Sequence, residues 1–193
     1  VKGGRFAKLF APAGVVGLLL SDVLGDAPET IASGPISPDP VTALEAERTL
    51  LRLFPDAPDI LRQLMRRETP KVLANARTQV IGNVTMLTQA TARALQRLGY
   101  ETTILTDQLD CEAREAGRFL SAMALTHQRE TRSVAFVAGG EPIVRVTGSG
   151  LGGRCQELAL AAAPRLEGLR DTALFSFGSD GADGPTDAAG GFV

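Results

Sequence analysis

Short apolar segments alternate with helical patterns between residues 78 and 177, and this alternation restricts the chain to the α/β folds. The patterns predict strands at 78–81 and 102–105, a helix that Asn83 caps and that runs to Leu98, and a second helix at 112–128. A strand, a helix and a further strand in this order are typical of βαβ units, in which the strands are parallel. We therefore expect an α/β protein.

The first part of the chain contains one long apolar run, Val15–Leu20, between Pro12 and Asp22. Such a run is typical of a parallel strand that is buried on both faces. Residues 21–40 are rich in Gly, Pro, Asp, Ser and Thr, which predicts a loop at the carboxyl end of the strand, where open α/β sheets bind ligands. Helical periodicity follows, and Pro70 predicts a domain boundary, with one domain at 1–69 and a second at 70–193.

The second domain is predicted to contain a mixed sheet. Apolar segments at 134–138 and 143–146 flank Gly-Gly-Glu-Pro, a pattern that favours a hairpin. A helix at 154–166 and a strand at 173–177 complete the pattern. The chain lacks an initiator Met and stops as a new apolar segment begins, so we expect a fragment, truncated at its C-terminus.

Composition excludes several kinds of partner. The 20 Lys and Arg residues do not outnumber the 22 Asp and Glu residues, so we expect no nucleic-acid binding. The longest apolar run is too short to cross a bilayer, so we expect no membrane contact. Two isolated cysteines exclude a disulfide framework and favour a reducing cytoplasm. Because His127 is the single histidine, Asp, Glu, Arg and Lys side chains must carry any chemistry.

Two loops are candidates for that chemistry. Glycines at 148, 150, 152 and 153 precede a helix and Arg154, so backbone amides could face an anion while the guanidinium binds the same group. The spacing also fits G-x-G-x-x-G, so dinucleotide binding, binding of another anion and a purely structural turn all remain open. The second loop, 180–187, contains three carboxylates that could hold Mg²⁺ or a substrate hydroxyl, or form ordinary turns.

Five motifs follow one another along the chain: Ser-Asp-Val-x-Gly-Asp at 21–26, Ile-Ala-Ser-Gly-Pro at 31–35, Gly-Gly-Glu at 139–141, Gly-Leu-Gly-Gly-Arg-Cys-Gln-Glu at 150–157 and Gly-Ser-Asp-Gly-Ala-Asp-Gly-Pro-Thr-Asp-Ala-Ala-Gly at 178–190. Taken together, these motifs resemble those of the class II glycerate kinases, the MOFRL family, some members of which are called hydroxypyruvate reductase from tartrate degradation. One departure is Cys155, where the family usually has Asn.

The resemblance implies a fragment of a two-domain α/β/α enzyme that transfers the γ-phosphoryl group of ATP to D-glycerate, giving 2-phosphoglycerate, with Mg²⁺. Residues 1–69 would be the C-terminal part of a Rossmann-like first domain, and 70–193 the second α/β domain, with its MOFRL section from about residue 134. The expected partners are glycerate and a nucleotide, and the protein could form a homodimer. The resemblance also implies that a lysine the family uses would lie upstream of this sequence.

By the same resemblance, Arg154 and Asp180 are the catalytic candidates, and Asp180 is also the candidate metal ligand. The remaining positions are candidates for binding substrate or nucleotide: Ser21, Asp22, Gly25, Asp26, Ser33, Gly34, Gly139, Gly140, Glu141, Gly150, Gly152, Gly153, Asp183, Thr186 and Asp187. Two alternatives stay open, an NAD(P)H-dependent hydroxypyruvate reductase and a non-catalytic sugar-acid-binding module.

Overall fold

The computed structural model describes residues 2–193, which form two compact units that divide between Asn83 and Val84. The division follows from strand pairing, because strand β2 (Ala76–Gly82) pairs with strand β1 (Val15–Leu20) in the first unit. The boundary predicted at 69/70 concerns the domains of a longer protein and stays a prediction.

The first unit is built around these two parallel strands, with Val15 opposite Ala76 and Leu19 opposite Val80. Its helices are α1 (Arg5–Leu9), α2 (Ala43–Leu53) and α3 (Asp59–Met65), and a short 3₁₀ turn spans Ile31–Ser33. Helix α2 begins where the Thr42 hydroxyl and the Glu45 carboxylate cap each other's backbone amides. The predicted strand at 15–20 is confirmed in its bounds.

One property predicted for β1 is wrong. Val16, Leu18 and Leu20 are 73%, 63% and 74% exposed, so the described residues cover only one face of this strand. On the covered face Gly17 lies so close to the Ile36 side chain that a Cβ atom would overlap it. The apolar run predicts a strand buried on both faces, but residues 2–193 bury only one face of it.

The second unit contains helices α4 (Val84–Arg97), α5 (Ala113–His127) and α6 (Arg154–Leu166). Its strands are β3 (Glu101–Leu109), β4 (Val134–Gly140), β5 (Phe175–Phe177) and β6 (Gly190–Phe192). β3 and β4 pair in parallel and β5 and β6 pair antiparallel, so both kinds of pairing occur, but among the described residues they lie in separate two-stranded sheets and not in the one mixed sheet predicted. The α/β class predicted from the sequence is confirmed.

The predicted hairpin between 134–138 and 143–146 is not formed. Strand β4 pairs with β3, and residues 143–146 form no strand beyond a single parallel bridge between Ile143 and Glu112. After β4 the chain continues along the segment that leaves β3, because the amides of Glu141 and Ile143 donate to the carbonyls of Leu109 and Cys111. Because residues 141–143 bond to the segment after β3, the chain does not turn back to pair with β4.

Close packing of α5 against α6 fixes the position of α6. The core here includes Ala113, Ala116 and Leu158, and a Cβ atom on Gly117 would collide with the Leu158 carbonyl. Small residues on α5 thus let the two helix backbones approach closely, which burial of apolar surface stabilises. None of the helices in the described part of the chain is both long and apolar enough to span a membrane.

Candidate functional site

The N-terminus of α6 is capped by a carboxylate from a distant part of the sequence. The N-cap residue, Gly153, has no side chain to do this. Instead, Asp183 accepts hydrogen bonds from the amide of Cys155 at Oδ1, 2.9 Å away, and from the amide of Gln156 at Oδ2, 2.8 Å away. A carboxylate at this position satisfies two unpaired amides and interacts favourably with the helix dipole.

This finding corrects the expectation that the first amides of α6 face a bound ligand. Two of them already bind an anion, and that anion is a side chain of the same chain. The glycines before the helix remain open, since a Cβ atom on Gly148, Gly150 or Gly152 would have no neighbour within 4 Å. The prediction that Gly150 and Gly152 bind a ligand is compatible with this geometry.

Arg154, the first residue of α6, forms an ion pair with Glu141. Its Nη1 donates to Oε1 of Glu141, and the two side chains are 36% and 40% exposed. Burial by itself lowers the pKa of the guanidinium, but the hydrogen bond and charge of Glu141, with a further contribution from Asp180, outweigh it and raise the pKa. Arg154 is therefore a permanent cation paired with Glu141.

Glu141 reaches this position from the carboxyl end of β4. Its amide donates to the Leu109 carbonyl over 2.7 Å, which fixes the backbone just beyond the strand. Gly140, at φ 155°, lies so close to the Leu109 backbone that a Cβ atom would collide with it, and a Cβ atom on Gly139 would collide with the side chains of Val84 and Thr88. The two glycines of the Gly-Gly-Glu motif therefore serve close packing.

The acidic loop, defined here as residues 178–187, presents its three carboxylates differently. Asp183 is 2% exposed, whereas Asp180 and Asp187 are exposed. Oδ1 of Asp180 accepts from the Ala182 amide at 3.2 Å, which forms a local turn. A ligand could reach both Asp180 and Asp187, but of the two only the charge of Asp180 acts on Arg154.

Thr186 and Gln156 join the acidic loop to α6 a second time. The Gln156 Nε2 donates to the Thr186 hydroxyl over 2.9 Å, and that hydroxyl donates to the Asp183 carbonyl over 2.8 Å. The sequence analysis does not identify Gln156 as a site residue, because a polar side chain in the first turn of a helix carries almost no signal of its own.

Cys155 is buried beside this network. Burial raises the pKa of its thiol, and a hydrogen bond with Ser176 opposes that shift only in part. A buried thiol with a raised pKa is a weak nucleophile, which argues for a packing role at this position.

The six predicted site residues of the first unit lie in the loop that follows β1. Ser21 bonds the Val23 amide, and Asp26, at φ 55°, accepts a 2.5 Å hydrogen bond from Asn83 beyond the end of β2. Gly34 is buried at φ 57°, where a Cβ atom would collide with the backbone of Glu29. The other three are exposed: Asp22, Gly25 and Ser33.

The described residues contain no group of three or more His, Cys, Asp or Glu side chains that could hold a metal ion. Mg²⁺ commonly binds through one or two carboxylates together with substrate phosphates. Asp180, an accessible carboxylate whose charge acts on Arg154, fits an ion that arrives with a nucleotide.

The described fold is α/β. Residues 134–193 match the MOFRL family, and residues 1–66 match a family described as a domain of unknown function, DUF4147. These matches, together with the relatives described next, confirm the resemblance to the class II glycerate kinases.

The D-glycerate 2-kinase of Thermotoga maritima is 46% identical to this chain over the whole chain and 47% of its own length. A crystal structure of glycerate kinase from the same organism superposes with a TM-score of 0.88 at 45% identity and covers the whole chain, which spans 48% of that structure. A protein of Agrobacterium vitis named hydroxypyruvate reductase is 36% identical over the whole chain and 46% of its own length. The chain spans about half the length of the curated relatives it matches.

Proposed function

We propose that the longer protein to which this chain belongs transfers the γ-phosphoryl group of ATP to D-glycerate, giving 2-phosphoglycerate and ADP. The observation that carries this proposal is the ion pair of Arg154 with Glu141 directly after a Gly-rich loop, where the charge of Asp180 also acts on Arg154. The chain that contains this ion pair is 46% identical to a D-glycerate 2-kinase.

The proposed roles follow from the charges involved. Phosphoryl transfer depends mainly on positioning and on neutralising negative charge, for which backbone amides and a guanidinium suffice. Arg154 binds the glycerate carboxylate or the transferring phosphoryl group through the donors that Glu141 does not use. Gly150 and Gly152 let a phosphate approach the backbone, whereas the space at Gly153 is filled by Asp183.

Asp180 binds the glycerate hydroxyl or Mg²⁺. In the first role it accepts the hydroxyl proton as the glycerate oxygen bonds to the γ-phosphorus and the bond from that phosphorus to the β-phosphate oxygen breaks. In the second it is the protein ligand of an ion that, when bound, neutralises charge on the phosphates. Ser21, Asp22, Gly25, Asp26, Ser33 and Gly34 are proposed to bind substrate or nucleotide from the first unit.

The reductase alternative receives less support. The G-x-G-x-x-G fingerprint binds a dinucleotide when a strand leads directly into it, and residues 143–146 form no such strand.

The proposal also includes binding of ATP with Mg²⁺. Location in the cytoplasm and formation of a homodimer stay predictions.

The test is a pair of assays on the full-length protein. One contains D-glycerate and ATP·Mg²⁺ and couples product to enolase, which consumes 2-phosphoglycerate and not 3-phosphoglycerate; the other contains hydroxypyruvate and NADH. A mock purification from host cells that do not express the protein measures contamination by host kinases. NADH consumption without phosphorylation would establish the reductase, and glycerate binding without turnover would establish the binding module.

A further inference from the structure

We propose that Asp183 is a positioning residue: its buried carboxylate ties the acidic loop to the N-terminus of α6 and so fixes Arg154 and Asp180 relative to each other, without itself binding substrate or metal. The kinetic part of this inference rests on the proposed function. The structural part does not.

The carboxylate has almost no accessible surface to offer a ligand. Asp183 is 2% exposed, and each of its two oxygens accepts a hydrogen bond from a different amide of α6. A buried carboxylate is costly unless its oxygens are paired, and these two bonds with the helix dipole supply that pairing. The negative charge of Asp183 therefore interacts with the N-terminus of α6 and not with a ligand.

Two glycines make this contact possible. A Cβ atom on Gly153 would collide with the Asp183 carboxyl group, and a Cβ atom on Gly184, at φ 63°, would collide with the Gly152 carbonyl. The Gly-rich loop and the acidic loop are thus packed backbone to backbone at this point. Thr186 and Gln156 hold the same two segments together two to three residues further along.

The consequence for the site follows from chain connectivity. Arg154 immediately precedes the Cys155 amide that Asp183 caps, and Asp180 lies three residues before Asp183 in the acidic loop. Fixing Asp183 on α6 therefore limits the movement of both candidate catalytic side chains. A loose arrangement would cost turnover, because misplacement by about 1 Å can reduce a rate by about 10²-fold.

The experiment compares Asp183→Ala, Asp183→Asn and the control Asp171→Asn in the full-length protein. Asp171 is exposed at φ 54°, a conformation that Asn also accepts, so the control makes the same chemical change outside the network. Hydrogen exchange of peptides covering 150–157 and 178–187 is measured together with kcat, at a temperature where circular dichroism shows every variant folded.

We expect Asp183→Ala to accelerate exchange in both peptides and to lower kcat by about 10²-fold. Asp183→Asn keeps one acceptor oxygen for one of the two amides, so its exchange and kcat should lie between those of Asp183→Ala and wild type. Asp171→Asn should resemble wild type. If Asp183→Ala does not fold, Thr186→Val breaks only the second connection and should give the same pair of changes at smaller size.

Unchanged exchange in both peptides would overturn the inference. So would an equal loss of kcat in the Ala and Asn variants with exchange preserved, which is the result expected of a carboxylate that binds Mg²⁺ or substrate through its charge. An inactive wild-type protein would contradict the proposed kinase function, while the exchange data would still decide the role of Asp183.

Discussion

Glu141 accepts a hydrogen bond from Nη1 of Arg154, thirteen residues further along the chain, and thereby joins the end of strand β4 to the start of helix α6. The Arg154 side chain is only partly exposed, so the pair restrains its orientation. Because a guanidinium has five donors, a substrate anion can bind Arg154 while Glu141 holds it.

Replacing Arg154 by Ala in the full-length protein should lower kcat by about 10²-fold or more, which is the scale for losing one donor that stabilises developing charge. Arg170→Ala, an exposed arginine of the same unit, is the matched control and should keep wild-type turnover. Normal turnover of Arg154→Ala at an unchanged melting temperature would show that Arg154 has no catalytic role.

Glu141→Gln keeps the size of the side chain and an acceptor oxygen but removes the charge that pairs with Arg154. We expect kcat to fall roughly 10-fold, within the coupling of about 0.5–3 kcal/mol typical of residues in contact. The measurement is a double-mutant cycle with Arg154→Ala: once Arg154 is absent, Glu141→Gln should have little further effect. Additive losses would show that Glu141 acts independently of Arg154.

Asp180→Asn should impair turnover more than nucleotide binding. The Asn oxygen can still accept from the Ala182 amide, so the loop keeps its turn while the charge is lost. We expect a large fall in kcat, altered dependence on Mg²⁺ concentration and nearly unchanged affinity for ADP by calorimetry. Loss of ADP binding with normal turnover at saturating nucleotide would make Asp180 a nucleotide ligand.

The sequence predicted well those features that depend on local pattern. Helix α6 begins at Arg154 and β1 spans Val15–Leu20, as the apolar periodicity and the flanking Gly and Pro residues indicate. The hairpin after β4 was wrong because an apolar segment does not specify its partner, and hydrogen bonds with the segment after Leu109 decide the path.

The site was predictable in its residues but not in their contacts. Motifs identified Glu141, Arg154 and Asp183, yet no spacing rule indicates that Asp183 caps a helix that starts 29 positions earlier or that Glu141 pairs with Arg154. Such contacts depend on tertiary packing, here on how α6 packs against α5 and how closely Gly153 approaches Asp183. Gln156 went unidentified for the same reason.

Gly153→Ala should destabilise the second unit. The added Cβ atom would collide with the buried Asp183 carboxyl group and its backbone, and neither can move without breaking the two bonds to α6. Overpacking of this kind typically costs about 1–3 kcal/mol of unfolding free energy. Gly148→Ala is the control, because its Cβ atom would meet nothing within 4 Å.

Urea denaturation of the full-length variants, followed by a probe of the second unit, measures the difference. Gly148→Ala should remain within about 0.5 kcal/mol of wild type, as expected of an exposed position. Equal stabilities for Gly153→Ala and Gly148→Ala would contradict the close contact between the Gly-rich loop and Asp183.

The two cysteines should react with thiol reagents at very different rates. Cys111 is exposed, whereas Cys155 is buried and its thiol pKa is raised chiefly by that burial. The thiolate is the reactive form, so a raised pKa leaves less of it at any given pH, and burial limits access as well. At pH 8 iodoacetamide should alkylate Cys111 in the native protein and Cys155 only after denaturation.

Peptide mapping by mass spectrometry with and without urea measures both sites in one sample, and Cys111 serves as the internal control. Rapid native alkylation of Cys155 would show that the N-terminus of α6 opens readily, in conflict with a helix start that Asp183 holds through two amides.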